Sequence, residues 1–339
     1  MIPNRSIGPD AGRSARRTGY LLLAAIAAAA PEARAQAQAR DVAATPPTTA
    51  PAAFVRPPAP GRLIEVGGHR LHLFCKGATD GPTVIFEAGM SQYAANTTYG
   101  GAQAAIVPLA RVCTYDRAGL GWSDPAPQGW TLAGMAADLH ALLAASGEHG
   151  PFIVAAHSFG GLIARTFIHA YPQEVAGLIL LDATSDEDFD ELDAATAATV
   201  PKLDAAISAS TPGQPVIGMP LGTSPELVMA FTPELLRGVK VEFEAIGRLP
   251  AAMRRPGGFG TLGDLPLIIV RRGKTEQPPS AEDLRHQRVQ ENLANLSTNR
   301  ILIVAKNSGH TIPLDEPAAV VDAVRRMLTA LRTHAHLID

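Results

Sequence analysis

The 339-residue chain contains only two cysteines, Cys75 and Cys113, too few for a disulfide framework or a cysteine-built zinc cluster. Aromatic residues make up just 5% of it, so Leu, Ile, Val and Ala must fill the core. Neither sign of charge dominates: 29 Lys and Arg stand against 32 Asp and Glu, a net charge of −3. That balance offers no basic face for nucleic acid. With 46% hydrophobic and 18% charged residues, the chain is also no disordered, charge-rich tail protein. A membrane-length apolar run is missing as well. The run from Tyr20 to Ala30 is eleven residues, which rise about 16 Å as a helix against a bilayer core of roughly 30 Å. No stable membrane span is expected.

That short run has flanks of its own. Arg5, Arg13, Arg16 and Arg17 precede it, Pro31 ends it, and Ala33, Ala35, Ala37 and Ala39 follow at alternate positions. This is the layout of a secretory signal peptide over residues 1–39, and it predicts an exported protein, periplasmic or secreted. Residues 40–60, rich in Ala, Pro and Thr without apolar periodicity, read as an extended linker. The folded domain is expected over residues 61–339.

From Gly61 onward strand and helix patterns alternate. Arg62–Val66 and His69–Phe74 read as a hairpin about Gly67-Gly68. Further strands are expected at Thr83–Phe86, Val112–Tyr115, Phe152–Ala155, Leu178–Leu181, Leu267–Val270 and Ile301–Val304. Helical spacing marks Thr131–Ala145, Gly161–Ala170, Ala281–Leu296 and a last helix after Pro317. The alternation implies an α/β domain with a mostly parallel sheet. Between two strands, residues 186–264 carry helix-start signals at Ser224-Pro225 and Thr232-Pro233. The segment is too long for a loop and too short for an ordinary second core, so it reads as an inserted helical cap.

The chemistry-bearing motif is Ala156-His157-Ser158-Phe159-Gly160-Gly161, between an expected strand and an expected helix. Small residues two before and two after the serine let the backbone close a sharp turn that exposes the hydroxyl above the sheet. This resembles the nucleophile elbow of the α/β-hydrolase superfamily, with Ala156 where glycine is usual. A second segment, Asp116-Arg117-Ala118-Gly119-Leu120-Gly121-Trp122-Ser123, is similar to the superfamily's D-x-x-G-x-G-x-S turn. It is assigned no chemistry, since its glycines permit a tight loop and Asp116 and Arg117 can pair locally. Asn307-Ser308-Gly309-His310 follows the last expected strand, where the superfamily places its general base.

The resemblance spans about residues 61–333 and implies an eight-stranded, mostly parallel sheet. It makes Ser158 the nucleophile and His310 the base, with the backbone N–H groups of Met90 and Phe159 as the oxyanion hole. His157 is expected to pack or hydrogen-bond. Two positions compete for the acid: Asp182, at the end of the Leu178–Leu181 strand, is favoured, and Glu276 in Gly273-Lys274-Thr275-Glu276 is the alternative. Asp186 and Asp283 stay open behind them. The superfamily's strand order makes Cys75 and Cys113 neighbours, either as a disulfide or as two buried thiols.

The function these expectations imply is a serine hydrolase of carboxylic ester-like bonds, acting through an acyl-enzyme on a small molecule with an apolar portion. No cofactor or metal is implied, and the oligomeric state is left open. Epoxide hydrolases and haloalkane dehalogenases of the superfamily use an aspartate nucleophile, against which Ser158 argues. A cofactor-free peroxidase, an acyltransferase or an aminopeptidase shares the serine triad and remains an alternative. A non-catalytic binding protein of the same fold is a further one.

Overall fold

Two glycines open the fold. In the computed structural model, which describes residues 58–78, 80–92, 99–212 and 232–337, strands β1 (Arg62–Glu65) and β2 (Arg70–Lys76) form an antiparallel hairpin. Gly67 and Gly68 hold φ at +94° and +105°, the paired left-handed conformation that a two-residue hairpin turn demands. The expected signal peptide, nearly all of the expected linker and the helix start at Ser224-Pro225 lie outside the described residues.

After the hairpin come β3 (Val84–Glu87), α1 (Gly100–Ile106), β4 (Val112–Asp116), α2 (Leu132–Ser146), β5 (Phe152–His157), α3 (Gly160–Ala170) and β6 (Val175–Leu181). Helices α4 (Phe189–Ser208) and α5 (Pro233–Gly247) occupy the segment expected as a cap. The chain then returns through β7 (Leu267–Arg272), α6 (Ala281–Ala294), β8 (Arg300–Ala305), the single turn α7 (Ile312–Asp315) and α8 (Pro317–Thr333). Helices α1 and α7 were not anticipated; at seven and four residues they are too short to show a helical period.

The eight strands run in the order β1-β2-β4-β3-β5-β6-β7-β8. The pairs β1–β2 and β2–β4 are antiparallel, and all pairs from β4–β3 to β7–β8 are parallel. Alternation along the strands divides the core between the two faces. Val154 and Ala156 of β5 point to the side covered by Leu139 of α2 and Phe167 of α3. Ile153 and Ala155 point to the side covered by Ile106 of α1 and Val324 of α8. With both faces covered, the central strands read as unbroken apolar runs.

Cys75 and Cys113 stand directly opposite each other on β2 and β4 and form a disulfide, with Cα atoms 4.0 Å apart. The strand register thus resolves the choice the sequence left open. Among the described residues no helix is long and apolar enough to cross a membrane.

Chain order reverses between β3 and β5, because β4 and β2 lie to one side of that pair and β6, β7 and β8 to the other. A crevice outside the carboxyl ends of parallel strands, at such a switch point, is where α/β sheets bind ligands. Residues 88–90, Ser158, Asp182 and His310 follow the carboxyl ends of β3, β5, β6 and β8 in turn.

Candidate active site

Ser158 sits between β5 and α3 with φ at +51°, a left-handed conformation that a side-chain-bearing residue resists. Its carbonyl accepts the N–H groups of Gly161 and Thr184, both at 2.9 Å, so the turn is tied at two points. Smallness around the serine has a measurable cause at Gly160. A Cβ there would lie 2.6 Å from the Ala88 carbonyl oxygen and 2.7 Å from that of Glu87. Ala156, by contrast, is accommodated with its methyl fully buried in the core beside α2 and α3.

His310 Nε2 lies 2.9 Å from Ser158 Oγ, and His310 Nδ1 lies 2.7 Å from Asp182 Oδ2. Asp182 also accepts from the Arg272 backbone N–H at 3.0 Å, from Arg272 Nη1 at 3.3 Å and from His286 Nε2 at 2.7 Å. Burial pushes this carboxyl up, but the hydrogen bonds from His286 and His310 outweigh it, holding Asp182 well below the usual carboxylate range. An ionised carboxylate only accepts hydrogen bonds, so the His310 proton resides on Nδ1 and Nε2 turns its lone pair to Ser158.

The other acid candidates are elsewhere. Glu276 is exposed on the loop after β7, with its backbone N–H bonded to Asp283. Asp283 caps α6 through Ser280, and Asp186 pairs with buried Arg165 at 2.7 Å. His157 is fully buried and packs its ring against His310. Burial first, and the neighbouring His310 second, push it down to about 3. It is therefore neutral near pH 7, and its Nε2–H donates to the His310 carbonyl at 2.8 Å.

The loop after β3 carries Met90, and Phe159 begins the turn into α3. Neither backbone N–H has a hydrogen-bond partner among the described residues. Arg117, only 4% exposed, organises this loop. Its Nη1 donates to Glu87 Oε1 and to the Ala88 carbonyl, both at 2.6 Å. Its Nη2 donates to the Gly89 carbonyl at 2.7 Å, and its Nε to Glu242 Oε1 of α5 at 2.6 Å. The arginine's carboxylate partners are thus 30 and 125 residues away, not the local one expected from the Asp116-Arg117 sequence. Asp116 accepts instead from His72 Nδ1 at 2.8 Å and the Trp122 N–H at 3.1 Å. Glu87 is pushed up by burial, against the pull of Arg117 and a hydrogen bond from the Tyr115 hydroxyl.

The sequence profile of the alpha/beta hydrolase family matches residues 88–323, more than half of the chain and all of the loops just described. The chain belongs to the alpha/beta hydrolase family. The uncharacterized protein YqjL of Bacillus subtilis (strain 168) is 25% identical to this alpha/beta hydrolase over 260 residues, covering 76% of it and 88% of YqjL. Another curated relative is matched over only 18% of its own length. Solved structures share the fold at low sequence identity. A thermophilic esterase from Thermogutta terrifontis superposes with a TM-score of 0.57 at 18% identity, over 79% of this chain and 97% of that one. A structure described among novel epoxide hydrolases from metagenomes of hot environments gives a TM-score of 0.60 at 18% identity, with the same coverage of each chain.

Three residues of this alpha/beta hydrolase's site were not anticipated: His286, Glu242 and, in its actual role, Arg117. Each belongs to a charged stretch that reads as a solvated helix face or a local turn. Among the described residues, the one cluster with metal-like spacing is Cys75, Cys113 and Glu148. Its two sulfurs are joined to each other and Glu148 is taken by Arg111 at 2.6 and 2.8 Å, so the donors are spent.

Proposed function

We propose that the protein is a serine hydrolase that cleaves carboxylic ester-like bonds through an acyl-enzyme. The observation that carries this reading is the run of hydrogen bonds from Ser158 Oγ through His310 to the buried Asp182, with the serine held at positive φ. Ser158 Oγ attacks the ester carbonyl carbon while His310 Nε2 takes its proton. The same proton goes to the leaving alcohol as the tetrahedral intermediate collapses. Water then attacks the acyl-enzyme and gives a proton to His310, which passes it to Ser158 Oγ as the acyl–oxygen bond breaks and the acid leaves. Asp182 stays ionised throughout and stabilises the imidazolium. The N–H groups of Met90 and Phe159 receive the oxyanion, each donor being worth about 2.7–4 kcal/mol in the transition state.

The substrate is a small molecule with an apolar portion. Supporting this, Phe159 and Met90 belong to an apolar cluster with Leu192 of α4, Ile246 of α5 and Phe259. The fold likeness to an esterase agrees with an ester, and a serine rather than an aspartate at the elbow speaks against epoxide opening. A fluorophosphonate probe tests the nucleophile. It should label the folded protein at Ser158 and leave the Ser158→Ala variant unlabelled; an unlabelled folded wild type would falsify the reading. p-Nitrophenyl esters of graded acyl length then report the apolar subsite.

The same proposal has the protein exported after removal of residues 1–39. The Cys75–Cys113 disulfide supports an oxidising compartment. N-terminal sequencing of the mature protein from its native host should begin near Arg40, and an intact Met1 would sink this part.

A further inference from the structure

Arg117 and Glu242 lie outside the hydrogen-bonded run from Ser158 to Asp182, yet both converge on the loop that carries Met90. A trans peptide is planar, so its C=O and N–H point in opposite directions. Arg117 Nη2 holds the Gly89 carbonyl at 2.7 Å. It thereby turns the N–H of the same peptide, that of Met90, the other way. The preceding peptide is fixed from both ends, with the Ala88 carbonyl on Arg117 Nη1 at 2.6 Å and the Gly89 N–H on Gln92 Oε1 at 3.1 Å. The guanidinium also lies 5.9 Å from the centroid of the Phe159 ring.

What holds Arg117 is in part the cap segment. Glu242 of α5 takes Arg117 Nε on one oxygen at 2.6 Å and the Ser91 N–H on the other at 2.7 Å. Its side chain is almost wholly out of solvent, so a change that removes one partner strands a buried charge on the other. One helical turn before it, Gly238 seats the same helix backbone-to-backbone on the turn after Arg117. A Cβ at Gly238 would lie 2.1 Å from the Gly119 carbonyl oxygen, and one at Gly119 would lie 2.8 Å from Gly238 Cα. A glycine inside a helix is unfavourable relative to alanine, and this close approach is what requires it.

We propose that Arg117 and Glu242 are positioning residues that aim the Met90 N–H, so that the oxyanion hole is complete only when helix α5 is seated. The cap helix is then part of the catalytic framework as well as a cover. This inference rests on the reading of Ser158 as an acylated nucleophile.

Three variants test it: Glu242→Gln, which keeps size and one acceptor oxygen; Arg117→Lys, which keeps charge but not the fork; and Gly238→Ala, which shifts the helix without touching a charge. Each is compared with wild type in kcat and KM for p-nitrophenyl butyrate and in the rate of fluorophosphonate labelling. All rates are normalised to the sites labelled at end point, in protein shown to be folded by circular dichroism. The expected result is a fall in kcat per site of about tenfold for Glu242→Gln and about 100-fold for Arg117→Lys. Gly238→Ala should fall between them, with KM within about threefold throughout and labelling slowed in parallel. An alpha helix that only binds substrate would instead raise KM at constant kcat, and that outcome overturns the proposal. A labelled wild type whose variants all react at its own rate also overturns it, leaving Ser158 as nucleophile intact. An unlabelled wild type overturns both.

Discussion

Replacing Asp182 by asparagine should nearly abolish turnover, and the geometry says why. The carboxylate accepts four hydrogen bonds. Oδ1 takes the Arg272 backbone N–H at 3.0 Å and His286 at 2.7 Å. Oδ2 takes His310 at 2.7 Å and the Arg272 side chain at 3.3 Å. An asparagine has one acceptor oxygen and one donor NH2, so one pair of donors must face another donor. The Arg272 N–H is fixed in the β7 backbone and cannot turn away, whereas the imidazoles can change tautomer and the guanidinium can swing. The amide oxygen therefore settles at the Oδ1 position, and the NH2 confronts His310 Nδ1. His310 responds by moving its proton to Nε2, which then has no lone pair for Ser158. A tautomer error of this kind lowers kcat by about 10⁴-fold, or roughly 5.5 kcal/mol of barrier. The assay is kcat/KM for p-nitrophenyl esters in Asp182→Asn and Glu276→Gln side by side. Glu276→Gln should keep wild-type activity, because its side chain is exposed on the loop after β7. Retention of more than a tenth of the activity by Asp182→Asn, with a large loss in Glu276→Gln, would refute the reasoning.

Three more outcomes are expected. His157 has its folded-state value depressed to about 3 against about 6.5 in an unfolded chain. The stability this neutral histidine permits is therefore full above pH 6.5 and drains away as pH falls, by about 1.4 kcal/mol per unit. Urea unfolding from pH 7 to pH 4 should show a shallower pH dependence in His157→Gln than in wild type, and parallel curves would count against it. The Cys75–Cys113 bridge has a sequence separation of 38 residues, so reduction should cost about 4 kcal/mol and lower Tm by on the order of 10 °C; thermal melts with and without reductant decide. Gly160→Ala forces a methyl to within 2.6 Å of the Ala88 carbonyl. It should cost about 1–3 kcal/mol by denaturant titration and lower kcat by roughly tenfold or more, whereas a variant as stable and active as wild type would show that the turn and the Met90 loop are not in contact.

Local chemistry explains which parts of this molecule can be read in one dimension. Runs such as Leu178–Leu181 must be apolar because both faces of β6 are covered, and the hairpin must carry Gly67-Gly68 because its turn needs positive φ at both positions. Ser158 announces itself through neighbours whose size is limited by the backbone nearby. The choice between Asp182 and Glu276 is different in kind. Both follow strands, and both fit a loop motif. They are separated only by the parallel register of β6 on β7, which sets Asp182 against the Arg272 N–H.

The residues that escaped notice share one property: their partners are more than a hundred residues away, or belong to another layer. His286 meets Asp182 across 104 residues, and Glu242 meets Arg117 across 125. On α5 the buried Glu242 and the part-exposed Glu244 stand two residues apart, and nothing in Lys240-Val241-Glu242-Phe243-Glu244 tells them apart. A weaker trace was present. Gly238 interrupts an otherwise good helix-forming stretch, and a glycine that a helix does not want marks a place where another backbone comes close. The side chain one turn further along that face, Glu242, is then the one aimed at the same neighbour. A helix-interior glycine followed four residues later by an acid is thus a physical reason to look for a buried cation on the facing loop, and Arg117 is the arginine found there.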